Sequence, residues 1–263
     1  MKKSILFLAG AILFSVTSFA QQRDMQYWRP YDQRGNNVFE SGKADTVAFD
    51  GVKVRIGGAF AQQFQSISHE NTATAVLNDN GINTNQLMDI GSGFNLATAN
   101  LNIDVALADG IRLNLITYLS SRHHPETWVK GGYLQLDKLS FLNSPAFDKI
   151  MEKVTIKVGH MEVNYGDSHF RRSDNGNAFY NPFVGNYIMD AFATEIGAEV
   201  IYQNNGFIAV ASMTGGEIQG GITNPDSRKP SLIGKLGYDK TLDNELRLRL
   251  TGSIYTTAGS INN

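Results

Sequence analysis

The sequence predicts an all-β fold, an antiparallel transmembrane β-barrel, from its composition and its short alternating segments. The 26 glycines and the low share of charged residues, 18%, are typical of strands and turns rather than helices. After the first twenty residues there is no run of about 18 apolar residues, which excludes a helical membrane protein. A β-barrel needs no such run, because each short strand alternates between a lipid-facing apolar side and a polar interior side.

The most regular segment, residues 101–119, predicts a hairpin with one apolar and one polar face. Its apolar residues recur at every second position on both arms, which is the period of a β-strand. A three-residue turn over 108–110, with Gly110 at positive φ, keeps the two apolar faces together. This turn puts Leu107 opposite Ile111.

Nine strands are expected, together with a short helical turn over residues 145–153. The strands cover residues 52–64, 94–107, 111–120, 127–137, 154–164, 191–202, 207–215, 231–238 and 245–255. The even-numbered connections between them are never the longest. Outer-membrane barrels alternate short periplasmic turns with longer external loops, so the connection lengths also favour a barrel.

The chain divides into three parts. Residues 1–20 have a basic start, an apolar centre and small residues at their end, which predicts a cleaved secretory signal peptide. Residues 21–50 show no clear period and are expected to be irregular, below or inside the sheet, whereas residues 51–263 form the β-barrel. The 23 basic residues less Lys2 and Lys3 leave 21 against 25 acidic residues, a net charge of −4. This balance gives no reason to expect nucleic acid as a partner.

The odd number of strands predicts an incomplete barrel. Bacterial single-chain barrels have an even number of strands. An open sheet would leave two edges in hydrocarbon, where unpaired backbone groups are costly. We therefore expect this chain to be the N-terminal part of a larger barrel. The alternative is a miscounted strand near residues 127–163 and a closed barrel of eight or ten strands.

Two segments resemble a known family. They are TVAFDGVKVRIGGAFAQQFQ (Thr46–Gln65) and KVGHMEVNYGDSHFRRSDNGNAFYNPFVGNYIMDAFATEIGAEV (Lys157–Val200). Both look like the outer-membrane porins of Bacteroidetes-type bacteria, which are distantly similar to phosphate-selective porins. The resemblance implies a protein of the cell outer membrane through which small polar or anionic solutes diffuse passively along a water-filled lumen.

The loop over residues 166–189 combines charged and aromatic residues that could narrow a pore by folding inward. The residues expected to form this constriction are Arg171, Arg172, Asp174, Phe170 and Tyr180. The alternative is an external surface loop whose aromatic residues pack on one another.

Nine charged residues of the strands alternate away from lipid and are expected to face the lumen. They are Lys53, Arg55, Arg112, Asp104, Glu195, Glu199, Lys235, Arg247 and Arg249. Arginine pairs with phosphate and carboxylate groups, so the excess of basic residues predicts a weak preference for anions. The three acidic residues share this face, and mutual neutralisation of the acidic and basic side chains is the favoured interpretation.

A second function class stays open, a secreted, periplasmic or surface β-sheet domain that binds a ligand on one sheet face. We expect no enzyme activity, metal or cofactor, because the sequence has no nucleophile elbow, phosphate-binding loop or complete set of metal ligands. The expected partners are outer-membrane lipid, small polar or anionic solutes and, as an option, further copies of the chain in a homo-oligomer. Membrane fractionation and bilayer conductance distinguish the two classes.

Overall fold

The computed structural model describes residues 24–119, 127–217, 229–242 and 246–257. The signal peptide predicted over residues 1–20 lies outside these ranges. The described part of residues 21–50 contains one 3-10 turn, Gln33–Gly35, and is otherwise without regular secondary structure.

The described strands form one antiparallel sheet in which each strand pairs with its neighbours in sequence. The nine strands are β1 Lys53–Gln65, β2 Gly93–Ala108, β3 Ile111–Leu119, β4 Trp128–Leu136, β5 Val154–Glu162, β6 Thr194–Asn204, β7 Phe207–Glu217, β8 Ser231–Thr241 and β9 Arg247–Thr256. The predicted all-β antiparallel fold is confirmed. The sheet is not closed into a barrel, since β1 and β9 lie at its opposite edges.

The register of the strands gives the sheet one apolar and one polar face, because directly opposite residues of antiparallel strands point to the same side. One row across all nine strands is Val54, Val105, Leu113, Leu134, Val158, Ala198, Met213, Leu232 and Thr256. A row on the other face is Lys53, Ala106, Arg112, Gln135, Lys157, Glu199, Ser212, Ile233 and Tyr255.

The polar side of the sheet is the buried side. The largest side chains with less than 2% exposure are Lys235, Ile201, Gln135, Glu195, Asn100, Asn102, Asn114, Asp104, Asp137, Asp190 and Ser231. Only one member of this set is apolar. On the opposite face Val54, Leu236 and Leu250 are 60%, 62% and 73% exposed. This distribution is the reverse of that in a water-soluble domain, where large apolar side chains are buried and charged ones are exposed.

The hairpin between β2 and β3 differs from its prediction in one detail. A bulge lies between Ala106 and Ala108, so that Ala108 pairs with Ile111 and the predicted pairing of Leu107 with Ile111 is wrong. The connection is a two-residue turn in which Gly110 has a φ of +70°. The bulge accommodates one extra residue in β2. Beyond the bulge, the residues of β2 and β3 pair and face as the three-residue loop predicts.

The helical turn predicted after β4 is confirmed as helix α1, Pro145–Met151, which begins with proline where the missing N–H is unneeded. None of the helices in the described ranges is long and apolar enough to span a membrane. Further 3-10 turns occur at Ser140–Leu142, Ser168–Arg171, Ser173–Asn175 and Ala178–Tyr180.

Candidate functional site

The polar face and the two segments that cover it form the candidate site. The register and the contacts described below place all nine charged strand residues predicted for the lumen on this face. Lys53 pairs with Asp50 at 2.7 Å, and the Arg55 guanidinium lies 3.8 Å from the centre of the Trp28 ring. Arg247 forms an ion pair with Asp239.

Asp104 is the centre of a hydrogen-bond network that holds the N-terminal segment on β2 and β3. Its carboxylate accepts hydrogen bonds from Arg112 and Asn114 of β3, at 2.5 and 2.9 Å. It also accepts from the Trp28 indole at 3.0 Å and the Tyr31 hydroxyl at 2.7 Å. Burial, followed by the Asp104 charge, raises the pKa of Tyr31 well above its ordinary value. The phenol therefore stays protonated and available as a donor.

A second cluster fastens the N-terminal segment and the 166–189 loop to β8 and β9. The Arg249 guanidinium donates to Glu40 at 2.9 and 3.1 Å and to Asp167 at 2.7 and 2.9 Å. Lys235, which is 1% exposed, lies 3.1 Å from Asp167 and 3.6 Å from Glu40. Burial alone would raise the pKa of Asp167, but the Arg249 hydrogen bonds and the Lys235 charge outweigh it and hold this pKa well below its ordinary value.

The N-terminal segment is also fixed at its C-terminal part. The ammonium of Lys43 donates to the carboxylate and the carbonyl of Asp137, at 3.1 and 3.0 Å, and to the Val154 carbonyl at 2.9 Å. The side chain of Gln26 donates to Asp109 and accepts from the Gly110 amide, each at 3.0 Å. Segment and sheet are thus joined at both ends of the segment by charged or amide side chains.

The 166–189 loop folds against the polar face of the sheet. The Phe170 ring lies beneath two cations, Arg29 at 5.1 Å and Lys235 at 5.3 Å from its centre. Arg172 and Asp174 are buried at 5% and 4% exposure, and their side chains bond to each other at 3.1 Å.

The remaining two residues predicted for the constriction have other roles. Arg171 donates to the Asn36 carbonyl and the Asn37 side chain, and so ties the loop to the N-terminal segment. Tyr180 is 46% exposed and contributes its carbonyl to Arg171. These two residues therefore lie at the periphery of the covered face.

An internal cavity of about 60 Å³ lies between the sheet, the loop and the N-terminal segment. Its cationic lining residues are Arg29, Arg112, Lys130, Lys157 and Arg172, and its carboxylates are Glu162 and Glu199. Two of these cations are paired across the sheet, Arg112 with Asp104 and Lys157 with Glu199. Lys130 and Arg172 both pair with Asp174, so the lining has more basic than acidic side chains but four of its five cations have carboxylate partners.

Neutralisation of the acidic strand residues is uneven. Asp104 and Glu199 have the ion pairs given above. The carboxylate of Glu195 instead accepts from two hydroxyl groups, those of Thr214 and Tyr255, the latter at 2.6 Å. Neutral donors thus compensate the burial of this charge, which alternation alone did not indicate.

Sequence reasoning missed two of the cavity lysines for different reasons. Lys157 lies opposite Glu199, so the alternation that selected Glu199 would also have selected it. Alternation alone would assign Lys130 to the apolar face. Its two neighbours, Gly131 and Val129, pair with the consecutive residues Ile116 and Thr117, so Lys130 is the extra residue of a bulge. The bulge turns its side chain to the polar side, where it forms an ion pair with Asp174.

No group of three His, Asp or Glu side chains in the described ranges is arranged to hold a metal ion. The Nε2 atom of His160 lies 2.6 Å from the Thr194 hydroxyl oxygen.

No protein-family model and no curated protein matches this chain. The function is therefore inferred from the two faces of the sheet and from the groups that cover one of them.

Proposed function

We propose that this chain forms wall strands of an outer-membrane porin, through which small polar or anionic solutes diffuse passively. The observation that carries the proposal is the inverted sheet, with charged and amide side chains buried on one face and a largely apolar face exposed on the other. Hydrocarbon around the apolar face removes the cost of exposing it to water, which is about 1.5 to 3 kcal/mol for each large aliphatic side chain.

The dimensions of the strands support a membrane location. The five strands β5 to β9 have 9, 11, 11, 11 and 10 residues. A tilted strand needs roughly 9 to 11 residues to cross the hydrocarbon layer.

Aromatic side chains at both ends of the apolar face also support this location. Phe64 and Phe94 form an edge-to-face pair at one end, with ring centres 5.2 Å apart. Tyr202, Phe207 and Tyr238 lie at the other end, the first two with ring centres 6.2 Å apart. Aromatic girdles at the two interfaces of the bilayer are typical of outer-membrane strands.

A porin wall also requires partners for the free edges of β1 and β9. Unpaired strand backbone in hydrocarbon costs several kcal/mol for each group. The proposed pore therefore includes further strands beside these edges.

The covered polar face supports slow, anion-preferring permeation. The N-terminal segment and the loop fill much of the space beside the sheet, and the cavity left between them has a basic lining. Fixed cations beside a narrow passage favour anions. We expect small conductance steps and a reversal potential displaced toward that of the anion.

The test is fractionation of cells expressing the full chain, followed by reconstitution in planar bilayers with a potassium chloride gradient. We expect membrane-bound protein and, where further strands pair with the edges of β1 and β9, discrete steps and anion preference. Arg172→Gln, inside the cavity, should reduce anion preference, whereas the matched variant Arg171→Gln at the periphery should change it less. A soluble protein that gives no steps would instead support the secreted ligand-binding domain.

A further inference from the structure

Helix α1 ends close to the aromatic side chains at one end of the apolar face. Its last residue, Met151, is three positions before Val154, which begins β5 and pairs with Tyr202. The Gln203 amide donates to the Lys153 carbonyl at 2.8 Å, so the pairing of β5 and β6 continues toward the helix. Three residues span at most roughly 10 Å, and α1 therefore lies near the level of these aromatic residues.

One side of α1 faces the protein and is largely polar. Asp148, Met151 and Glu152 line a cleft of about 330 Å³ together with Tyr27 and Lys43 of the N-terminal segment. Met151 is 3% exposed. Since the N-terminal segment covers the polar face of the sheet, this side of the helix is directed toward that face.

The other side of α1 is apolar and exposed. Phe147 and Ile150 are 45% and 52% exposed, and Phe141 of the preceding 3-10 turn is 61% exposed. At about 3.6 residues per turn, Phe147 and Ile150 are neighbours on the helix surface, roughly 120° around its axis from the centre of the cleft side. The carboxylates of Asp148 and Glu152 lie on the cleft side, so the apolar side of the helix carries no acidic group.

We propose that α1 lies in the interfacial layer of the bilayer, with Phe147 and Ile150 inserted between lipid headgroups. A lipid surface fits this side because the chain enters and leaves the helix from the apolar face of the sheet, through Leu136 before it and Val154 after it. Interfacial amphipathic helices insert their apolar side about 5 to 10 Å into the boundary between headgroups and acyl chains. The inference rests on the proposed function, since the sheet sets the level of the bilayer.

The test places one fluorescent label at a time, because the chain contains no cysteine and a single introduced cysteine is labelled selectively. The variants are Phe147→Cys on the apolar side of α1, Glu152→Cys on its cleft side and Leu236→Cys on the apolar face of the sheet. All three side chains are exposed, so folding does not depend on them. The labelled full chain is reconstituted in phosphatidylcholine bilayers with a nitroxide quencher either on the headgroup or near the end of an acyl chain.

In Phe147→Cys the headgroup nitroxide should quench at least about twofold more strongly than the chain-end nitroxide, because the interfacial layer is far from the bilayer centre. Leu236→Cys should show the reverse order. The matched variant Glu152→Cys should be quenched less than Phe147→Cys by both nitroxides.

Quenching in Phe147→Cys no stronger than in Glu152→Cys, in bilayers that quench Leu236→Cys, would overturn the proposal and indicate that protein or water covers this side. Stronger quenching of Phe147→Cys by the chain-end nitroxide would also overturn it. Loss of quenching in Leu236→Cys alone would refute lipid contact of the sheet and leave the interfacial helix supported. Loss in both variants would refute the two proposals together.

Discussion

The two faces of the sheet are built from alternate residues of the same strands, yet their surroundings are opposite. On the polar face, Asp104 and Lys235 are each 1% exposed and have several charged or hydrogen-bonding partners. On the apolar face, Leu236, next to Lys235 in sequence, is 62% exposed. Polar groups are buried on one face because partners are supplied, whereas apolar groups on the other face are exposed because the proposed surrounding is hydrocarbon.

The largest effect is expected on the polar face. Asp104→Ala leaves Arg112 buried without its carboxylate and removes the acceptor of Trp28 and Tyr31. Removing one partner of a buried pair costs about 3 to 5 kcal/mol of unfolding free energy. Denaturant titration of the reconstituted protein measures this loss.

The matched control for that variant is Lys138→Ala, which breaks the half-exposed pair with Asp109. An exposed pair contributes up to about 1 kcal/mol, so the loss should be much smaller. Equal losses in the two variants would mean that the network around Asp104 is not closed to solvent.

A somewhat smaller effect is expected on the apolar face. Leu236 is the sixth of the eleven residues of β8, which puts it near the proposed middle of the bilayer. Leu236→Arg should lower the unfolding free energy by about 2 to 4 kcal/mol when the side chain contacts lipid. The same change at an exposed leucine in water should alter it by no more than about 0.5 kcal/mol. Leu142→Arg, in a turn outside the strands, is the control. If both variants unfold at the unsubstituted protein's denaturant concentration, the face contacts water.

The smallest expected effect is a pH dependence at His169, in the loop that covers the polar face. Burial, followed by the charge of Lys235, lowers the pKa of His169 well below its ordinary 6.5, and within the described residues its Nδ1 has no partner. Below pH 6.5 the unfolded state binds a proton at His169 that the folded state excludes. The contribution of neutral His169 to the unfolding free energy is therefore fully present above pH 6.5 and falls as the pH decreases. At pH 5 the loss reaches about 2 kcal/mol.

Unfolding free energies at pH 7.5 and pH 5, for the unsubstituted chain and for His169→Gln, measure this effect. The glutamine variant should lose the part of the difference that His169 contributes. Asp167 in the same loop does not contribute over this interval, since its pKa is held well below its ordinary value. A pH difference that persists in the glutamine variant would assign the dependence to another group.

The strand pattern and the assignment of residues to the two faces can both be predicted from the amino-acid sequence. Each face follows from residues two positions apart, and this alternation is a local property of extended backbone. The predicted strands therefore correspond to the nine observed ones, and Arg112, Glu199 and Lys235 lie on the face expected of them. Boundaries differ by up to three residues, as at β6, which begins at Thr194, and at β8, which ends at Thr241.

The groups that meet on the polar face cannot be predicted from local periodicity. Arg249 and Glu40 are 209 positions apart, and Trp28 and Asp104 are 76 apart, so no local pattern brings them together. The bulge that turns Lys130 inward also escaped alternation, because it depends on how β3 and β4 pair. Periodicity selects a side of the sheet, whereas partners on that side depend on how distant segments pack across it.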